Sequence, residues 1–418
     1  MQSLKKIVAE LIFRSKITYY NLQKNRIQKR VFKKPRIKVV FFVLYDNMWK
    51  SDGLFRLLLN SERFEPYIIS SPYPRHPKKF GAENQERVEQ FFKKKGLPFF
   101  KGYDFERGEW FDIKSLNPDI VFYQQPYNSG YAGFKIEGLW KDTLFGYIPY
   151  TYELEDNPAM LHHLLLNVAW RVFLPSSFEV KVEGQHLYNG GRNLVASGYP
   201  LADTLLSSDF SDGQWKVQDT KLKRVIWAPH HSILDSDFLN YSNFLEIAED
   251  MLKLTDKYKD SIQFAFKPHP VLKRKLYKLD EWGEEKTDAY YNKWASSENT
   301  TLVEGDYVDL FKSSDSLIHD CSTFTAEYLY TKKPVMYLSK PGKIDCFNEF
   351  GKKCYEQHYI GHSVDDIDRF LQSVVLEEND TMKEARDCFF SQYLMPPKGK
   401  SVAQNMYDEF EKALLPID

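Results

Sequence analysis

Three stretches of the chain place residues that bind phosphate or move protons directly after apolar runs. KRVIWAPHHSI (Lys223–Ile233) ends in Pro229, His230, His231 and Ser232. IQFAFKPHP (Ile262–Pro270) ends in Lys267, Pro268, His269 and Pro270. In IHDCSTFTAEYLYTKKPVMYL (Ile318–Leu338), Asp320, Ser322 and Thr323 separate an apolar run from a helical stripe of Phe324, Ala326, Tyr328 and Leu329. Hydroxyls and open N–H groups at a helix start suit an anion. Glu327, about one turn on, is placed to accept from a ribose diol. Lys332 and Lys333 belong in the last turn, and Pro334 stops the helix. An ordinary capped helix would use the same letters, but three polar strand ends in one domain point to a ligand at the carboxyl edge of a parallel sheet.

Alternating strands and helices must position these residues. Ile37–Tyr45 is apolar apart from Lys38, as a strand buried on both faces requires. Further strands are expected at Tyr67–Ser70, Asp119–Tyr123, Phe145–Tyr150 and Val172–Leu174, with helices at Asp52–Leu59, Arg87–Lys95, Phe238–Tyr258, Asp365–Val375 and Val402–Leu415. The alternation predicts α/β architecture with two doubly wound, Rossmann-like domains. Periodicity breaks at SSDFSDGQ within Leu201–Lys221, the expected linker. The boundaries read as a basic helical segment over 1–36, a first domain over 37–205, a second over 222–400 and a closing helix over 401–418.

Composition narrows the partners. A net charge of -1 gives no global field toward nucleic acid, so none is expected as a partner. Four cysteines without a CxxC pair argue against a disulfide framework and for a reducing, cytoplasmic setting. Cys346, Cys354, His358 and His362 have spacing a zinc site tolerates, but EQHYIGHS reads as strand and loop, and no metal or other cofactor is expected. No apolar run is long enough to span a membrane, and LKKIVAELIF is too charged for a secretory signal. In Met1–Arg36 the Lys and Arg residues are opposed only by Glu10, while Leu4, Ile7, Val8, Leu11 and Ile12 recur at helical spacing. That pattern predicts a helix lying on an anionic membrane surface, against the plainer alternative of a helix packed on the protein.

WAPHHSI, FKPHP and IHDCSTFTAEYLYTKKPVMYL together resemble the C-terminal half of the CDP-glycerol:poly(glycerophosphate) glycerophosphotransferase family, over roughly Arg224–Leu338. The resemblance implies the two-domain architecture called GT-B, with the nucleotide donor in the C-terminal domain. It implies transfer of a glycerol-phosphate or related polyol-phosphate unit from a CDP-linked donor, as substrate, to a surface glycan or lipid-linked acceptor in teichoic-acid or capsule synthesis. It implies that His269 and His230 or His231 contact the pyrophosphate, that Ser322 and Thr323 hold phosphate, and that Glu327 faces the ribose. Lys267 adds a charge near the phosphates. The Trp-His-Gly segment of larger members is missing, so the acceptor-side base is sought in YTYELEDNPAMLHH.

Such a transfer needs charge stabilisation on the leaving group and a base for the acceptor hydroxyl. His230, His231, His269 and the Ser322–Thr323 turn fit the first need. Glu153 or Asp156 fits the second, with Asp46 as an alternative. His162 and His163 sit in an apolar run and read as packing residues, and Asp235-Ser236-Asp237 lacks the apolar flanks of a metal motif. The readings carried forward are the polyol-phosphate transferase, a GT-B transferase using a nucleotide sugar, a nucleotide-sugar epimerase, and a non-catalytic nucleotide-binding scaffold.

Overall fold

The computed structural model describes residues 2–74, 78–127, 130–156, 163–218, 221–234, 240–340 and 343–415. His162 and the Asp235–Asp237 run lie outside them. The chain divides into two compact units, one of 1–151, 157–203 and 395–418, the other of 152–156 and 204–394.

The first unit opens with helix α1 (Gln2–Val31) and carries β1 (Ile37–Val43), β2 (Phe64–Ser70), β3 (Phe99–Lys101), the short antiparallel pair β4 (Tyr103–Asp104) and β5 (Glu109–Trp110), β6 (Ile120–Tyr123), β7 (Leu144–Tyr147), β8 (Arg171–Leu174) and β9 (Leu194–Ala196). Its parallel sheet has the order β3-β2-β1-β6-β7-β8-β9. The strands are apolar because both faces are covered: Val39, Val40, Phe41 and Val43 of β1 have no exposed surface. Ile17 and Tyr20 of α1 join one side of this core, so α1 is docked on the unit along one face.

The closing helix Val402–Leu414 packs on this first unit. Ser401 Oγ accepts from the Gln404 N–H at 3.1 Å, and Asp203 accepts from the Val402 and Ala403 N–H groups at 2.7 and 2.9 Å. These supply the donors a helix start leaves open. Phe410 then sits among Phe64, Phe122 and Trp170.

The second unit carries β10 (Lys223–Ala228), β11 (Ile262–Phe266), β12 (Thr300–Leu302), β13 (Ser316–His319), β14 (Val335–Leu338) and β15 (Tyr359–Gly361) in one parallel sheet of order β12-β11-β10-β13-β14-β15. Trp227 at its centre has no exposed surface and stacks against Phe244 and Phe266. The strand order runs one way from β10 to β12 and the other way from β13 to β15. The crevice at the β10/β13 switch is where such sheets bind ligands.

Three local expectations change. The long helix expected from Phe238 is Phe244–Lys257. The helix after Thr323 is one turn, Phe324–Glu327, continued as a 3-10 turn over Tyr328–Thr331 that ends at left-handed Lys332 (φ 61°). The expected linker is folded down: Trp215 is 2% exposed, its indole N–H donates to Ser313 Oγ at 2.8 Å, and Gln263 clamps the Val217 backbone. A single buried indole outweighs the polar letters around it.

Candidate functional site

The three motifs meet because β11, β10 and β13 are neighbours at the sheet centre. Their carboxyl ends release His269, His230–His231 and Asp320 side by side. The imidazole centroids of His230 and His231 lie 4.2 Å apart, those of His231 and His269 4.3 Å, and those of His230 and His269 5.2 Å. Each ring offers one nitrogen within 4.8 Å of the others, a spacing that a metal ion could use.

The local hydrogen bonds favour a different use. His269 Nδ1 accepts the Val271 N–H at 3.1 Å, and His230 Nδ1 accepts the Ser232 N–H at 3.3 Å. Ser232 Oγ lies 2.7 Å from the same Nδ1 and itself accepts the Tyr241 N–H. A neutral imidazole whose Nδ1 accepts carries its proton on Nε2. His230 and His269 are thereby set as N–H donors, which suits phosphate oxygens better than a cation. Burial keeps both neutral: it drives His269 down to about 3, with His231 and Lys267 adding to the effect, and His230 well below its usual value. Lys267 is 5% exposed, and burial lowers its pKa against the pull of Cys321, Glu304 and Asp306.

Asp320 is the pin of the site and has no room for a ligand role. It is 1% exposed. One carboxylate oxygen accepts the His230 N–H at 2.6 Å and the other the Asn243 N–H at 2.7 Å. Burial pushes its carboxyl up to about 7 while those two donors pull the other way. Asn243, just before the Phe244–Lys257 helix, also donates its side-chain amide to the Leu338 carbonyl at 2.9 Å. One carboxylate therefore ties together the β10 loop, the turn after β13 and the following helix.

Ser322 is 8% exposed and its carbonyl accepts the Thr325 N–H, while Thr323 precedes the one-turn helix without a side-chain cap. Glu327 is fully buried, and its Oε2 accepts the Tyr307 hydroxyl at 2.7 Å. A ribose diol would reach it by exchanging with Tyr307.

The acidic segment expected in the first domain folds with the second unit over 152–156. The Tyr152 hydroxyl meets that of Tyr330 at 2.8 Å, Asn348 donates to the carbonyl of Glu153 at 2.7 Å, and Glu155 forms a bridge with Phe347. Gly351 permits this: a Cβ there would stand 2.4 Å from the Leu154 carbonyl oxygen. Glu153 is half-buried, and Asp156 is exposed. Glu155 is the carboxylate tied toward the histidines, through the Tyr241 hydroxyl at 3.4 Å, with the Tyr241 ring 5.9 Å from His230. Asp46 binds Arg87 in the first unit, and His163 meets Tyr127 edge-to-face there at 5.4 Å. His358 and His362 donate their Nδ1–H groups to the backbone carbonyls of Cys354 and Ser339 at 2.9 and 3.0 Å. Tyr241, Asn243 and the pinning role of Asp320 were not read from the sequence. No spacing announces Tyr241 or Asn243, whereas Asp320 stood in the motif already.

The 418-residue chain matches the model of the CDP-Glycerol:Poly(glycerophosphate) glycerophosphotransferase family over residues 170–408. No curated protein sequence matches it. Among solved structures, a variant of the wall teichoic acid polymerase TagF superposes with a TM-score of 0.60 at 14% identity, covering 98% of each chain. UDP-GlcNAc 2-epimerase from Neisseria meningitidis, bound to UDP-GlcNAc, gives 0.60 at 13%, covering 90% of this chain and 99% of that one. The S. aureus MnaA–UDP structure gives 0.60 at 14%, covering 91% and 99%. At such identities the structures establish the shared two-sheet, GT-B-like α/β fold. The family match spans more than half of the sequence, and the chain belongs to the CDP-glycerol:poly(glycerophosphate) glycerophosphotransferase family of transferases.

Proposed function

We propose that the second unit binds a CDP-linked polyol phosphate and transfers the polyol-phosphate group to a hydroxyl of a surface-glycan or lipid-linked acceptor. The observation that carries this is the pair of neutral histidines fixed as N–H donors at the β10/β13 switch point. In the transfer, the acceptor oxygen forms a bond to the distal phosphorus, the bond from that phosphorus to the bridging oxygen breaks, and CMP leaves. The acceptor proton goes to a carboxylate. His230, His231, His269 and Lys267 face the charge that grows on the leaving group. Ser322 and Thr323 hold phosphate, and Glu327 takes the ribose in place of Tyr307. Glu153 is the acceptor-side base carried from the sequence, and Glu155 of the same segment, also a candidate there and anchored on Tyr241, is the alternative.

A membrane-bound acceptor fits α1. No helix among the described residues is long and apolar enough to cross a membrane. Yet Ile7, Leu11, Ile12 and Leu22 are 53%, 58%, 54% and 71% exposed on a helix carrying Lys16, Arg26, Lys29 and Arg30. An apolar strip amid cations suits the inner, anionic face of a membrane. The test of transfer is release of CMP from CDP-glycerol with and without membrane acceptor. Acceptor-dependent release supports the reading. Conversion of a nucleotide sugar with no acceptor present would favour an epimerase, the chemistry named for the Neisseria meningitidis structure.

A further inference from the structure

The first unit holds a cavity of about 720 Å³ between α1 and the start of β8, apart from the histidine cluster. Arg14, Lys24, Arg171 and Arg192 line it, together with amide side chains such as Asn21 and Asn189, and among the described residues no carboxylate does. Two of the cations are balanced from outside: Arg14 by Glu10 at 2.9 Å and Arg171 by Glu409 at 2.8 Å. Lys24 and Arg192 meet no carboxylate among the described residues. The Lys24 ammonium has only the Ala169 carbonyl, at 3.4 Å. Asn21 donates to the Asn167 carbonyl, while its own Oδ1 is buried without a partner.

We infer that this cavity is an anion site for a glycerophosphate-type phosphodiester, with Lys24 and Arg192 on the phosphate and the amides on the neighbouring hydroxyls. A partly buried ammonium such as that of Lys24 is costly without a counter-ion, and an incoming phosphate would supply one, with exposed Arg192 at the rim reaching the same group. Burial, with Arg171 beside it, already lowers Lys24 to about 8, the direction an anion would reverse. The volume exceeds what one phosphate needs and suits a headgroup with its hydroxyls. Leu22 lines the same cavity and is 71% exposed, next to the apolar strip of α1, so an amphiphile could seat its headgroup here with its chains along the strip. The same chemistry is offered by a bilayer phosphatidylglycerol or by a soluble glycerophosphodiester.

Two binding arms separate the sources. One measures flotation of the full chain with phosphatidylglycerol, phosphatidylserine and neutral phosphatidylcholine vesicles. The other measures calorimetric binding of glycerophosphoglycerol. Lys24→Met and exposed Arg192→Gln are compared with Lys29→Gln, a cation of α1 outside the cavity. Loss of one general surface charge weakens vesicle binding about fivefold. Loss of a specific charge-assisted contact weakens it at least about tenfold, and more for phosphatidylglycerol than for phosphatidylserine. A Lys24- and Arg192-dependent effect on vesicles alone assigns a lipid ligand, and one on the soluble diester assigns a soluble or polymeric ligand. Leu11→Ser lowers vesicle binding but not soluble binding, so failure of the membrane reading is told apart from failure of the cavity. Cavity variants that behave as Lys29→Gln in both arms overturn the proposal.

Discussion

Asp320→Asn removes one acceptor oxygen from the pin of the donor site while keeping its shape. In the parent, the two carboxylate oxygens accept the His230 and Asn243 N–H groups at 2.6 and 2.7 Å, and the side chain is 1% exposed. The amide can serve one of these donors and turns its own NH2 toward the other. Above pH 7, where the carboxyl is ionised, a buried N–H left unmade costs ~1–3 kcal/mol and the surviving bond loses its charge assistance, so the total is about 2–4 kcal/mol. For a unit of this size that is a fall of roughly 5–10 °C in melting temperature. The loop carrying His230 and His231 loosens at the same time, so donor affinity falls with stability. Scanning calorimetry, which resolves the two units if they melt apart, combined with titration of CDP-glycerol, reads both effects. An Asp320→Asn protein that melts as the parent does and binds donor unchanged would refute the pinning argument.

The remaining predictions are more local. His269→Ala and Ser322→Ala each lower donor use by roughly 10- to 100-fold, the value of a hydrogen bond to a charged group, with little change in melting temperature; unfolding with unchanged specific activity would remove both from the site. His269 stays neutral in the fold down to about 3 and titrates near its usual value when unfolded, so its contribution is present above about pH 6.5 and is lost as pH falls toward 3. At pH 5 that loss is ~2 kcal/mol, and His269→Gln, measured beside the parent by denaturant unfolding at pH 5 and 8, shows a correspondingly shallower acid dependence. Gly351→Ala drives a Cβ to 2.4 Å from the Leu154 carbonyl and displaces the Glu153–Glu155 segment. Turnover then falls while donor affinity is kept, and an equal loss of both would detach that segment from acceptor activation.

Much of the candidate site's geometry was legible in the sequence because parallel sheets translate letters into place simply. Largely apolar runs such as that of β1, apart from Lys38, and Val225–Trp227 read as strands buried on both faces. Residues just past their ends had to fall on one edge of a sheet, so His230, His231, His269 and Asp320 came together as the motifs suggested. What the letters concealed rests on contacts between distant residues. The Tyr152–Asp156 segment joins the second unit through Asn348 and Tyr330. The closing helix joins the first through Asp203. The polar stretch around SSDFSDGQ is anchored by one indole, Trp215. Nor did the hydroxyl turn before Phe324 reveal that its helix is a single turn, since the residues that follow have ordinary helical letters and are diverted by left-handed Lys332.

The central claim is that the second unit takes a cytidine diphosphate donor. Its most direct test is the melting temperature of the purified chain with CMP, CDP, CTP, CDP-glycerol, UDP and GDP, for the parent and for His269→Ala. A ligand at 100 times its dissociation constant adds about 2.7 kcal/mol to the folded state. The account predicts stabilisation by the cytidine compounds, largest for CDP-glycerol and lost in His269→Ala. Stabilisation by UDP or GDP alone would contradict it in favour of a sugar nucleotide, and no response to any of the six would contradict donor binding altogether.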